Sequence, residues 1–348
     1  MSRLLTPGFI LGLSLILLSA CGGGGDSGTP VATPANEPTP TTPPPASTKD
    51  NYTLYIQQDL LTITKSPDTN NGATTLEVWG FSDTETSSTE NKIIPGTTIY
   101  AEEGKTVTVS VKNNLNTIHD FNFVTLPTDE ITSSTNKPIE VSETITFTIT
   151  PKKSGIYLYE DSLNNGVNRS LGLFGVMIVR PATELGNLVW PGGPGFNKEV
   201  LWVISDMDYP NWNQVAINNG ADKVDTTKYK ANYFLMNGMN GFQAMSDDLN
   251  TNITGNVGET ILVRIANAGQ YSQSLHFHGS HFQVISRNGN RLNEFVYQDT
   301  INMKPKETAM VLYTIDQVGH YPMHVHTAQL ETGKGVYLNG TAAMIIGK

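Results

Sequence analysis

The chain has 348 residues, 22 of them basic and 32 acidic, for a net charge of −10. No Lys/Arg block occurs anywhere, which argues against nucleic-acid binding and polybasic lipid contact. A single Cys excludes an intrachain disulfide and a Cys-built zinc site, and seven His set the ceiling for any histidine-built metal cluster.

The N-terminus reads as an export signal over residues 1–20. Arg3 precedes the apolar run Phe9–Leu18, too short to span a bilayer but suited to a signal-peptide core. Leu18-Ser19-Ala20-Cys21 resembles a bacterial lipobox, which implies cleavage before Cys21 and lipidation of its sulfur. Gly22 follows, and the absence of Asp there resembles the outer-membrane default. The expected location is therefore the bacterial cell envelope, lipid-anchored at the outer membrane. Residues 21–50 read as a tether rich in Pro, Gly and Thr, with no apolar periodicity to offset the entropy of ordering. Proline biases it towards extended polyproline II, at ~3 Å per residue.

From residue 51 the apolar pattern has period two. Val107, Val109 and Val111 alternate with polar neighbours, as do Ile145, Phe147 and Ile149, and Ile261, Val263 and Ile265. Such runs are half-buried strands. Gly, Asn, Asp and Pro separate them, and no helical periodicity is sustained, so the expected class is all-β and sandwich-like. The unit is duplicated. Gly104 to Asn113 matches Gly258 to Asn267 at an offset of 154 residues, and Gly155 to Ser162 matches Gly319 to His326 at an offset of 164. The expected domains are 51–182 and 199–348. A linker over 183–198 joins them, where Pro191-Gly192-Gly193-Pro194-Gly195 breaks any strand.

Six of the seven histidines lie in the second copy, in two clusters: His276-Phe277-His278-Gly279-Ser280-His281 and His320-Tyr321-Pro322-Met323-His324-Val325-His326. Residues i and i+2 share a strand face, so His276 pairs with His278, and His324 with His326. Two such pairs in one sandwich are expected to converge on a metal; imidazole suits copper, zinc, iron or nickel. His281 has the opposite parity. His320 has the right parity but lies about 13 Å back along the strand. Both are expected behind the ligands or in structural roles. Met236, Met239 and Met245 read as core and loop filling, with a methionine-rich Cu(I)-binding segment as the alternative.

Gln273 to Val284 resembles the copper motif opening the last domain of the multicopper oxidases, and His324-Val325-His326 resembles their closing His-Cys-His motif. Phe234-Leu235-Met236-Asn237-Gly238 resembles an early segment of the same family. The two-copy layout resembles two-domain laccases and copper nitrite reductases. The resemblance implies two tandem cupredoxin-like Greek-key β-sandwiches, copper as cofactor, and a homotrimer in which one subunit's histidines face the next; zinc is the alternative that imidazole donors allow.

The departures decide the chemistry. The family's blue copper needs Cys and two His, and the matching positions here are Val325, Gln273 and Leu330. The first copy offers Glu160-Asp161-Ser162 where the family has His and Cys. Against the nitrite reductase pattern, His119-Asp120-Phe121-Asn122 keeps the Asp but has Asn for the ligand His. The trinuclear cluster draws four histidines from each of two domains, more than this chain holds. What survives is a site built from His276, His278, His324 and His326. Asp120 is the candidate proton acceptor, and His119, Glu160 and Asp161 are candidates to support the site across an interface. The leading expectation is copper handling, buffering or sensing. The alternatives are a copper-dependent oxidoreductase without a blue centre and a metal-free interaction module.

Overall fold

The computed structural model describes residues 49–64, 72–85, 93–135, 137–182, 185–247 and 250–348. The signal sequence, Cys21 and nearly all of the tether lie outside the described residues.

The first copy runs β1 (Asn51–Ile63), β2 (Thr74–Ser82), β3 (Ile99–Glu102), β4 (Val107–Asn113), β5 (Asn122–Phe123), β6 (Ile131–Ser133), β7 (Thr144–Ile149), β8 (Gly155–Glu160), the short helix α1 (Val167–Ser170) and β9 (Phe174–Arg180). The second begins with β10 (Lys198–Met207), α2 (Asn213–Asn219), β11 (Tyr233–Met236) and α3 (Gly241–Asp247), then β12 (Ile253–Gly255) and β13 (Thr260–Asn267). It continues through β14 (Gln273–Phe277), β15 (Phe282–Arg287), β16 (Asn290–Gln298), β17 (Thr300–Met303), β18 (Thr308–Thr314) and β19 (Gly319–Val325). The small hairpin β20 (Thr332–Gly333) and β21 (Val336–Tyr337) precedes β22 (Ala342–Gly347). Among the described residues only short helical turns interrupt the strands, as the all-β expectation has it.

The strands form two sandwiches. In the first, sheet A has the order β2-β1-β4-β7-β6 and sheet B the order β3-β9-β8-β5. In the second, sheet C has the order β11-β10-β13-β18-β15-β16 and sheet D the order β12-β22-β19-β14-β17. The duplication read from the sequence is a duplication of topology. β4 pairs parallel with β1 and antiparallel with β7; β13 pairs parallel with β10 and antiparallel with β18. In sheet B, Asn122 opposes Glu160 where His276 opposes His324 in sheet D.

Alternation explains which face each strand buries. Val107, Val109 and Val111 point into the first core while Thr108, Ser110 and Lys112 point out. β8 is buried throughout: Tyr157 and Tyr159 enter the first core, and Ile156 and Leu158 enter a third core between the sandwiches. That third core also takes Leu262, Ala266, Met310 and Leu312 from sheet C. The two sandwiches thus belong to one compact unit.

Two segments depart from a simple domain split. Val189 and Trp190 of the expected linker are buried in the third core, and Val189 N–H donates to Pro194 O at 3.0 Å to close the proline-glycine turn. Trp212, Ala216, Ala221 and Val224 follow β10 in sequence but pack into the first sandwich's core.

Candidate metal centre

Sheet D positions the histidines. On β14, Gln273, Leu275 and Phe277 are buried and Ser274 and His276 face outward. On β19, Met323 and Val325 are buried and His324 faces outward. His278 and His326 continue these ladders, with His278 N–H donating to Pro322 O at 3.1 Å and His326 N–H to Ser274 O at 2.9 Å. Apolar residues at alternate positions anchor both strands to the core, so all four imidazoles emerge on one solvent-facing surface.

The four rings converge. His276 lies 4.6 Å from His278 and 4.2 Å from His326, centroid to centroid; His324 lies 5.2 Å from His278 and 5.4 Å from His326. The shortest donor contact runs across the strands, with Nε2 of His278 3.1 Å from Nε2 of His324. Nδ1 of His324 faces Glu331 Oε1 at 2.9 Å and the carbonyl of Val325 at 3.1 Å. Nδ1 of His276 lies 3.0 Å from Thr300 Oγ1 and 3.8 Å from Asp299 Oδ2. Burial first, and the neighbouring imidazoles second, hold His276 and His278 below the ordinary histidine pKa. At neutral pH these two rings are therefore uncharged and offer lone pairs.

A metal–imidazole bond is about 2.0–2.1 Å, so two nitrogens on one ion at roughly 100° stand about 3.1 Å apart. The His278–His324 pair matches that spacing, and a set of imidazoles without thiolate fits copper chemistry short of a blue centre. Among the described residues no group of three or more His, Cys, Asp or Glu already surrounds a single point. The one close nitrogen–nitrogen approach among the four rings is the His278–His324 pair.

The blue-copper positions are filled with core. Val325 is fully buried, Leu330 is 3% exposed, and Gln273 is buried with its Oε1 accepting a hydrogen bond from Thr341 Oγ1 at 2.8 Å. Nε2 of Gln273 is buried with no hydrogen-bond partner among the described residues.

The acids of the first sandwich have other work. Glu160 is buried and holds Arg169 at 2.7 Å and Lys306 at 2.5 Å; Arg169 also donates to Ala268 O and Gln270 Oε1, which ties the sandwiches together. His119 is buried, with Nδ1 2.6 Å from Asp161 Oδ2 and Nε2 2.9 Å from Thr117 Oγ1. Asp120 accepts from Ser162 N–H at 2.6 Å and Ser162 Oγ at 2.5 Å. Burial, then the charge of Asp161, pushes the Asp120 carboxyl from 3.8 up to about 7. Within the chain, His119, Asp120, Glu160 and Asp161 make their contacts in the first sandwich and at its junction.

His281 and His320 are exposed and stand outside the ring cluster. Met236 and Met239 are buried, in line with core filling. Glu331 was missed by sequence reasoning. Its signal was its place: it is the first acid after His326, directly after an apolar residue that re-enters the core.

Two family models described as multicopper oxidase match the chain, one over residues 74–184 and one over residues 212–339. Together they cover more than half of it. The chain belongs to the multicopper oxidase family. Solved structures give the same architecture. A blue copper oxidase from Nitrosomonas europaea is 18% identical, with a TM-score of 0.68 and coverage of 85% of each chain. The multicopper oxidase mgLAC is 22% identical, with a TM-score of 0.68 and coverage of 86% of each chain. A copper nitrite reductase from Nitrosomonas europaea is 19% identical, with a TM-score of 0.64, covering 86% of this chain and 93% of its own. Among curated proteins, none matches the chain. The family implies copper in the relatives and lends zinc no support.

Proposed function

We propose that this multicopper oxidase family member is exported, lipid-anchored through Cys21 at the outer membrane, and binds copper through His276, His278, His324 and His326. Its role in this reading is to handle, buffer or sense copper outside the cytoplasm. The convergence of four outward imidazoles on one sheet face carries the reading, with the 3.1 Å nitrogen pair at its centre. Four imidazole nitrogen donors suit a borderline cation. Asp299 and Glu331 stand at the edge of the cluster and add negative potential that favours a cation over an anion.

When bound, copper would supply Lewis acidity and one-electron chemistry. The chain's own residues do the rest. Glu331 and Thr300 orient His324 and His276, and the rings, three half-buried and that of His326 exposed, keep part of the face open to water. That openness favours a second reading, a copper-dependent oxidoreductase taking electrons directly from a small molecule at the face. The cluster face is also expected to meet a neighbouring subunit in a homotrimer. Val296 and Tyr297, 57% and 67% exposed on the edge strand β16, lead straight into Asp299 and support such a contact.

The test is copper titration of the full chain against a variant with all four histidines changed to Ala. Specific binding lost in the variant supports the reading; equal binding by both contradicts it. Sedimentation of the same samples reads the assembly, and a monomer removes the trimer.

A further inference from the structure

Among the described residues, His324 is the one ring of the cluster held by a carboxylate at hydrogen-bond distance. Its Nδ1 faces two acceptors, Glu331 Oε1 at 2.9 Å and the main-chain carbonyl of Val325 at 3.1 Å. An acceptor at Nδ1 places the proton there and leaves Nε2 bare. That bare nitrogen is the one 3.1 Å from Nε2 of His278.

Glu331 is itself fixed. Its N–H and that of Leu330 both donate to Thr327 O, at 3.2 and 2.8 Å, and Gly340 N–H donates to Glu331 O at 3.1 Å. Leu330 plugs the core beneath the turn. A Cβ on Gly340 would come within 2.4 Å of the Glu331 carbonyl carbon and 1.9 Å of Leu330 O, so only glycine permits this approach. The carboxylate is 22% exposed, so its contact with His324 is partly shielded from water.

We propose that Glu331 is the positioning residue of the cluster: it fixes His324 as the Nδ1–H tautomer, and so makes the cross-strand pair His278–His324 the first seat for the metal. The metal half of this statement rests on the reading above; the tautomer half does not. Buttressing carboxylates of this kind fix ring orientation and raise ligand basicity. The seat is thus a diagonal pair drawn from two strands, rather than either same-strand pair.

The experiment uses the full metal-free chain with 15N-labelled histidine rings, in wild type, Glu331→Gln and Glu331→Ala. The His324 signals are identified by their loss in His324→Ala. Long-range nitrogen–proton spectra are expected to show His324 as Nδ1–H in wild type. Glu331→Gln keeps an acceptor oxygen and should preserve that pattern; Glu331→Ala should move the ring towards Nε2–H. Copper titration of the same proteins should show about 10- to 100-fold weaker binding for Glu331→Ala and a smaller loss for Glu331→Gln. An unchanged tautomer in Glu331→Ala overturns the positioning role, as does a changed tautomer with unchanged copper affinity. If wild type binds no copper, the metal reading fails, and the tautomer comparison still decides what Glu331 does.

Discussion

The Nε2 atoms of His278 and His324 stand 3.1 Å apart, although the residue that faces His324 in the β-ladder is His276. The diagonal contact arises because ring orientation, rather than ladder register, decides which nitrogens meet. Glu331 turns His324 from behind, and Thr300 turns His276.

Single alanine substitutions should rank accordingly. His278→Ala and His324→Ala are expected to weaken copper binding by more than the roughly 10- to 100-fold typical of losing an outer partner. His326→Ala should cost less, and His320→Ala should be silent. Competition titrations on the full chain measure the order. Equal losses for His320 and His324 would contradict the geometry.

Much of this site was legible in the sequence, for a physical reason. Strand parity is rigid, so His276 with His278 and His324 with His326 had to share faces once β14 and β19 were recognised as strands. The duplicated offsets likewise anticipated the matched ladders of β4 and β13. What stayed hidden depends on contacts between elements. Glu331 is distant from the strand pattern, and only the turn anchored by Leu330 brings it to His324. The partners that Glu160 and Asp161 hold within the chain, Arg169, Lys306 and His119, carry no signature in local spacing. Trp212 and Val224 joined the first core against their place in the chain for the same reason.

Asp120 predicts a pH dependence of stability. Its carboxyl binds a proton more tightly folded, at about 7, than at the ordinary value of 3.8. The folded state is therefore favoured by this group at low pH, and that contribution is lost as pH rises through 7. The effect is at most about 4 kcal/mol. Asp120→Asn removes the charge, so its stability relative to wild type should climb between pH 4 and pH 8. Urea unfolding at several pH values reads this, and parallel curves for the two proteins would refute the assignment.

Arg169→Met should destabilise the joined sandwiches. It strips buried Glu160 of its ion-pair partner in the first sandwich and removes the bonds to Ala268 and Gln270 across the junction. Breaking a buried pair from one side costs about 3–5 kcal/mol. The double change with Glu160→Gln should recover part of the loss. A loss below about 1 kcal/mol for Arg169→Met, by equilibrium unfolding, would show that the junction does not depend on this pair.

The central claim is that the surviving histidines of the second sandwich form a copper site without a blue centre. Electron paramagnetic resonance of the Cu(II)-loaded full chain tests it most directly, with the optical spectrum taken on the same sample. The account predicts an ordinary type 2 signal split by several imidazole nitrogens, lost when His278 and His324 are both Ala, and no intense visible thiolate band. A signal without nitrogen splitting, or one that survives the double substitution, would contradict it.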